Sequence, residues 1–201
     1  MNRLWLGFVV VMVVSFAVLG WIGTRIYQEM PPIPERVVTT AGETLIEPGQ
    51  IVAGQNVWQS LGGMEVGSVW GHGSYVAPDW TADWLHREAV FILDQWSQAD
   101  FNTEYAALDL ERQSQLQGRL AQLMRSNTYD PATGTVTLDP VRAEAFQANF
   151  EHYTDVFTNG KTEYSIPAGA VTDTERLRRL SAFFFWTAWA AGTDTALPSR
   201  A

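Results

Sequence analysis

Hydrophobic residues fall into three patterns along the chain. The first is an unbroken run, Leu4 to Ile22 (LWLGFVVVMVVSFAVLGWI), 19 residues without a charge. At about 1.5 Å per residue such a helix reaches roughly 28 Å, enough for the hydrocarbon core of a bilayer. The run predicts a transmembrane helix, with Trp5 and Trp21 at its two interfaces and Arg3 and Arg25 just outside. It is longer than the apolar region of a cleaved signal peptide, and no small-x-small site precedes a polar start, so we expect an uncleaved anchor over residues 1–28. A short inside N-terminus with the rest of the chain outside is the default orientation.

The second pattern has apolar positions three or four apart. Pro48 and Gly49 open a helix from Gln50 to about Leu61, with Ile51, Gly54, Val57 and Trp58 on one face. The small Gly54 on that face implies close approach by another helix. Residues 82–98 predict an amphipathic helix with Leu85, Ala89, Ile92 and Trp96 inward, capped by Thr81 or Asp79. Residues 108–124 predict another, with Leu116, Leu120 and Leu123 inward. Asp139 caps a helix with Pro140 at its first position; Val141 or Ala145, Phe146, Phe150, Tyr153 and Phe157 form its buried face, and Gly160 stops it. Thr172 or Asp173 caps a final helix whose apolar part, Leu180–Ala191, is too short to span a bilayer and predicts burial.

The third pattern is short β-favouring runs flanking turn residues, TYDPATGTVTL from Thr128 to Leu138, which predicts a hairpin. Between anchor and first helix, the proline-rich MPPIPERVVTT predicts an extended stalk over residues 29–47. The expected architecture is therefore mainly α: one N-terminal transmembrane helix, the stalk, a helical domain over 48–193 with a small β-hairpin, and a polar, frayed tail over 194–201.

One stretch fits none of these patterns. From Gln50 to Asp83 the chain interleaves Gly54, Gly62, Gly63, Gly67, Gly71 and Gly73 with Trp58, Trp70 and Trp80. Aromatics that dense call for burial, and glycines that dense call for a loop lying close to other backbone or to a ligand. It is no phosphate loop, since it lacks a preceding strand and a Walker lysine.

Charge and composition narrow the chemistry. Formal net charge is −9 over 201 residues, and the 162 residues from position 40 carry 10 basic and 20 acidic side chains. So acidic a domain is a poor partner for nucleic acid or an anionic membrane surface. The chain has no cysteine, which excludes disulfides, thiolate metal sites, thiol catalysis and thioether-linked haem. Its three histidines, His72, His86 and His152, do not fall at ligand spacing on a helix. His86 and His152 read as solvated surface residues. His72, between Gly71 and Gly73, reads as a loop histidine bonded to backbone, with a site role as the alternative. The residues alone describe an anchored, mostly helical exterior domain without catalytic chemistry of its own.

GQNVWQSLGGMEVGSVWGHGSYVAPDWTADWLHREA, Gly54–Ala89, together with RLSAFFFWTAWAAGT, Arg179–Thr193, resembles the N-terminal region of the quinol-dependent nitric oxide reductases. The same stretch is similar to the cytochrome c subunit of the cytochrome-dependent nitric oxide reductases. Its pattern there is GxxxW, then CxxCH, then GxGxYxAP followed by an acidic residue. With Trp58 and Tyr75 as fixed points, the haem motif falls on Gly63, Met64, Glu65, Val66 and Gly67. Both cysteine positions and the axial histidine position are replaced, by Gly63, Val66 and Gly67.

The resemblance implies a cytochrome-c-like domain that has lost its haem, anchored in a bacterial inner membrane on the periplasmic side. It implies a haem-copper-oxidase-like core as partner, on the same polypeptide or a separate subunit, with haem b, haem b3 and non-haem iron acting on quinol and nitric oxide. It also implies that the carbonyls of Gly73 and Tyr75 help hold a calcium ion, a hard cation suited to carbonyl oxygen. The chain itself is expected to supply no catalytic residue. The alternative is an anchored interaction module with no redox role. We expect Trp70, Met64, Trp80 or Trp84 to fill the space that haem would occupy.

Overall fold

The computed structural model describes residues 2–194, which fall into two compact units. The first is built on helix α1 (Arg3–Glu29) and ends at Pro32; the second spans Ile33–Asp194. The expected tail over 194–201 lies outside the described residues but for Asp194. Helix α1 is fully exposed and has a mean hydropathy of 2.4 over its best window, enough to cross a membrane. It runs past the apolar stretch by nearly two turns, through Thr24, Arg25 and Tyr27.

The second unit is held by five helices: α2 (Gln50–Ser60), α3 (Trp80–Phe101), α4 (Leu110–Arg125), α5 (Pro140–Asn159) and α6 (Thr174–Gly192). Local sequence sets their ends. Asp79, Asp139 and Asp173 each accept a hydrogen bond from a first-turn amide, of Ala82, Val141 and Arg176 respectively. That satisfies one of the four orphan amides at each helix start, and it resolves Asp79 over Thr81 and Asp173 over Thr172. Gly160 ends α5 at φ 81°, in the region that glycine occupies without steric cost.

The first and last helices of this unit cross at Gly54. A Cβ there would run into the Arg179 carbonyl and lie 2.9 Å from the Phe183 Cβ. The close approach expected from the small residue is thus an α2–α6 crossing, with Trp58 5.5 Å from Phe183. Helix α6 is buried from Leu177 to Trp189 except for Arg178 and Arg179, because α2, α3 and α5 all pack on it.

The expected stalk is corrected in part. Its extended backbone is real, but residues 36–46 belong to the domain. Strand β1 (Arg36–Thr39) pairs antiparallel with β2 (Thr44–Ile46) and parallel with β4 (Thr135–Leu138). Strand β3 (Tyr129–Asp130) completes the sheet in the order β2-β1-β4-β3. The hairpin expected over 128–138 is its β3–β4 half. Val37, Ile46, Val136 and Leu138 bury their side chains, which explains why the strand docks: Val37, in the register with Val136 and Ile46, has apolar surface to hide.

The buried face of α3 also differs from expectation. Trp80, Trp84, Glu88, Ile92 and Trp96 point inward, whereas Leu85 and Ala89 are half-buried. The face drifts along an i, i+4 row because large indoles outweigh a leucine and an alanine in buried apolar area. Phe150 and Val141 on α5 are likewise half-buried, while Ala145, Phe146, Tyr153 and Phe157 are buried as expected.

Candidate functional site

The segment from Leu61 to Asp79 is almost free of regular structure yet tightly braced. Gly62, Gly63 and Gly67 adopt φ of 115°, 58° and 119°, so the chain folds back around a single 3-10 turn, Gly63–Val66. Two indoles clamp that turn. Trp58 Nε1 donates to the Gly67 carbonyl at 3.1 Å, and Trp80 Nε1 donates to the Val66 carbonyl at 3.2 Å. A Cβ on Gly67 would overlap the Trp80 ring, so this position admits only glycine.

Trp80 is the hub of the core. It stacks on Phe184 (5.1 Å, 18°) and meets Tyr153, Phe157 and Tyr164 within 6.0 Å. An indole therefore lies against the backbone of Gly67, the position to which the resemblance assigns an axial histidine. Gly63, Val66 and Gly67 do not fit a haem c. Of the four candidates expected to fill its space, Trp80 and Trp84 are wholly buried. Met64 and Trp70 are not: they remain 39% and 45% exposed. Met64 sits on the outer side of the 3-10 turn, and Trp70 is held at the rim by a bond from its Nε1 to the Thr187 carbonyl (3.1 Å) and by packing on Trp186.

Beyond Trp70 the loop is organised by one carboxylate. Asp79 Oδ2 accepts from the Ser68 hydroxyl (2.7 Å) and the Gly71 amide (2.8 Å), while Oδ1 caps α3. The Trp70 amide donates to Thr81 Oγ1 at 3.1 Å, which holds Trp70 at a φ of 56°. His72 is exposed, with Nδ1 3.2 Å from the Val69 carbonyl, the backbone-bonded loop role expected of it. Gly73 lies at φ 81°, and Tyr75 is fully exposed with Val76 beside it at 57%. The loop is thus braced up to His72 and again at Asp79, and it presents Tyr75 and Val76 to solvent between those points.

A second polar cluster lies behind the aromatic hub, and sequence reasoning missed it. The buried Tyr153 hydroxyl donates to Asp83 Oδ2 at 2.9 Å, and Asp83 is paired with Arg87 at the same distance. Burial first, and then the Asp83 carboxylate, push the Tyr153 phenol well above its ordinary value. On the next turn, Glu88 is buried with Arg142, Oε1 to Nε at 2.7 Å, and its Oε2 accepts from Trp84 Nε1 at 3.2 Å. The signal for Glu88 was in the chain: it stands in the i, i+4 row of Trp80, Trp84, Ile92 and Trp96. Arg142, three residues after the Asp139 cap, carried no such mark.

His86, Arg87 and His152 line a cleft of about 410 Å³ between α3 and α5. His86 is exposed as expected, but His152 is half-buried, and its Nε2 is shielded without a hydrogen-bond partner. Burial, and then the Arg87 cation, hold its imidazole below its ordinary value. Among the described residues, no group of three or more His, Asp or Glu side chains is placed to hold a metal ion.

No curated protein matches the chain. Residues 34–197, however, match the family of cytochrome c-like domains found in NorB, a subunit of nitric oxide reductase. That match covers most of the chain and takes in the braced loop, the aromatic hub and the α2–α6 crossing, the same elements on which the resemblance was read. The chain therefore belongs to the NorB family of nitric oxide reductase subunits, and residues 34–197 are its cytochrome c-like domain.

Proposed function

We propose that this chain is the non-catalytic, haem-free exterior part of a quinol-fed nitric oxide reductase. It caps a membrane core that holds haem b, haem b3 and non-haem iron and converts nitric oxide to nitrous oxide. The observation that carries the reading is Trp80 against Gly67. A domain whose haem position is filled by its own core side chain cannot receive electrons from a soluble cytochrome. Electrons must then enter the core by another route, and a quinol oxidised within the membrane supplies one. The three histidines of this chain lie on three different segments, so the core's metals take their ligands from elsewhere, and the chain by itself reduces no nitric oxide.

In this reading α1 anchors the domain in the inner membrane, and the domain lies on the periplasmic side. The loop around Gly73 and Tyr75 faces the core, and their carbonyls contribute to a calcium ion whose remaining ligands come from the core. The exposure of Tyr75 and Val76 supports this role, because apolar surface left in water gains from being covered.

The test is co-purification of the full chain from its native membranes. A haem-b-containing partner that oxidises a quinol analogue in the presence of nitric oxide supports the reading. A partner that accepts electrons only from a reduced cytochrome c refutes the quinol assignment. The second reading is an anchored interaction module with no redox role, favoured by the same exposed Tyr75. Co-purification with a protein lacking haem would select it.

A further inference from the structure

Two oxidisable side chains in the core are each hydrogen-bonded to a buried or half-buried carboxylate, and they are stacked on one another. Tyr153 and Trp84 lie 5.6 Å apart at 16°. The Tyr153 hydroxyl donates to Asp83, and the Trp84 indole N–H donates to Glu88. Packing alone accounts for the ring stack, but it does not require that both polar tips end on carboxylates. Trp80 touches Tyr153 edge-on at 5.9 Å. From Trp80 a chain of ring contacts runs through Phe184, Phe183 and Trp186 to Trp70, each between 5.1 and 6.1 Å. Trp70 is the exposed end of that chain.

We propose that Tyr153, backed by Trp84, is a one-electron sink that receives oxidising equivalents from the surface through the ring chain that starts at Trp70. Losing an electron makes a phenol strongly acidic, and a cation in this apolar site would be costly. Asp83, already bonded to the hydroxyl, takes the proton in the same step. Both products are then neutral at the site: the O–H bond of Tyr153 breaks, an O–H bond forms on Asp83, and the electron passes out along the rings. With nitrogen dioxide as oxidant, the class a nitric oxide enzyme meets wherever dioxygen is present, the balance is Tyr–OH + Asp–COO⁻ + NO₂ → Tyr–O• + Asp–COOH + NO₂⁻. The raised phenol pKa fits this coupling, because the proton does not leave ahead of the electron. Trp84 with Glu88 offers a second station of the same kind.

The sink rests on this chain's own residues, and only the identity of the oxidant rests on the function proposed above. It is tested on the full chain in detergent, by flash oxidation with a ruthenium polypyridyl photosensitiser and persulfate, then rapid freezing and electron paramagnetic resonance. The expected result is a tyrosyl radical in one fixed ring orientation. It persists in Tyr75→Phe, is lost in Tyr153→Phe, and falls in yield in Asp83→Asn. The β-proton couplings of the wild-type signal identify the ring independently, since they must match the Tyr153 side-chain torsion. A signal retained in Tyr153→Phe, or lost in Tyr75→Phe alone, overturns the proposal.

Discussion

Trp80 lies over Gly67 so closely that its ring occupies the place of a side chain, with Cζ2 2.8 Å from where a Cβ would stand. Gly67 also has φ 119°, so a side chain there would meet both a steric and a conformational penalty. Gly67→Ala is expected to destabilise the domain by about 2–4 kcal/mol, combining backbone strain with overpacking. Thermal unfolding followed by circular dichroism measures it. An unchanged midpoint would show that the indole can move aside.

Installing the haem-attachment pattern of the similar cytochrome subunits as Gly63→Cys, Val66→Cys and Gly67→His is expected to give no covalent haem, even when produced with a haem-attachment system. The new imidazole and the Trp80 indole claim one space. Covalent haem absorbance in the purified triple variant would refute this. Adding Trp80→Ala removes the ring but costs about 3–5 kcal/mol of core packing, so rescue of haem attachment is expected to come with a marginally stable protein.

Gly54→Val is expected to prevent normal assembly of the α2–α6 crossing, because the obstacle is the Arg179 carbonyl rather than a flexible side-chain end. The loss should exceed the usual overpacking cost of about 1–3 kcal/mol. Limited proteolysis checks it, since α6 should become cleavable where it is now buried.

Glu88 and Arg142 are each nearly inaccessible to solvent, so removing one leaves the other charged and unpaired. Glu88→Ala or Arg142→Ala alone is expected to cost about 3–5 kcal/mol, and Glu88→Leu with Arg142→Met together much less than the sum. A denaturant double-mutant cycle reads the coupling. Additive losses would mean that the pair is not coupled in solution.

His152 makes folding pH-dependent. Its imidazole is held below its ordinary value of 6.5 in the folded chain, so the unfolded chain takes up a proton first. Above pH 6.5 the residue has no effect on stability. As pH falls through 6.5 stability is lost, and the loss levels off only below the folded pKa. His152→Gln is expected to flatten that part of the stability–pH curve. A curve unchanged by the substitution would place the effect elsewhere.

The sequence made the helices legible because their apolar rows, aspartate caps and stopping glycine are local signals. Gly54 even announced its crossing. Docking of the stalk was not legible, since Arg36–Thr39 finds its partner in Thr135–Leu138, and nothing local marks a parallel pairing across such a separation. The family of the loop from Leu61 to Asp79 was legible through its resemblance to known motifs, but the packing of that loop was not. Trp80 and Trp84 were among several aromatics that could have turned inward, and Met64 and Trp70 did not. The Asp83 carboxylate was hidden for a simpler reason: charged residues on a helix are read as solvated, and only its partner Tyr153, seventy residues away, says otherwise; Glu88 was marked by its place in the tryptophan row, but its partner Arg142 was not.

Because α2 and α6 are each other's main support and β1 waits for β4, this domain is fastened by its two ends. A ribosome delivering the chain has already committed α1 when Val37 emerges, yet the matching Val136 follows about a hundred residues later. Through that interval the first strand has only its hairpin partner Thr44–Ile46, and the glycine-faced helix α2 lacks the α6 surface that it crosses. Completion of the core is therefore expected late in the life of the nascent chain, and a stop before Leu177 would leave α2 without the surface on which it packs.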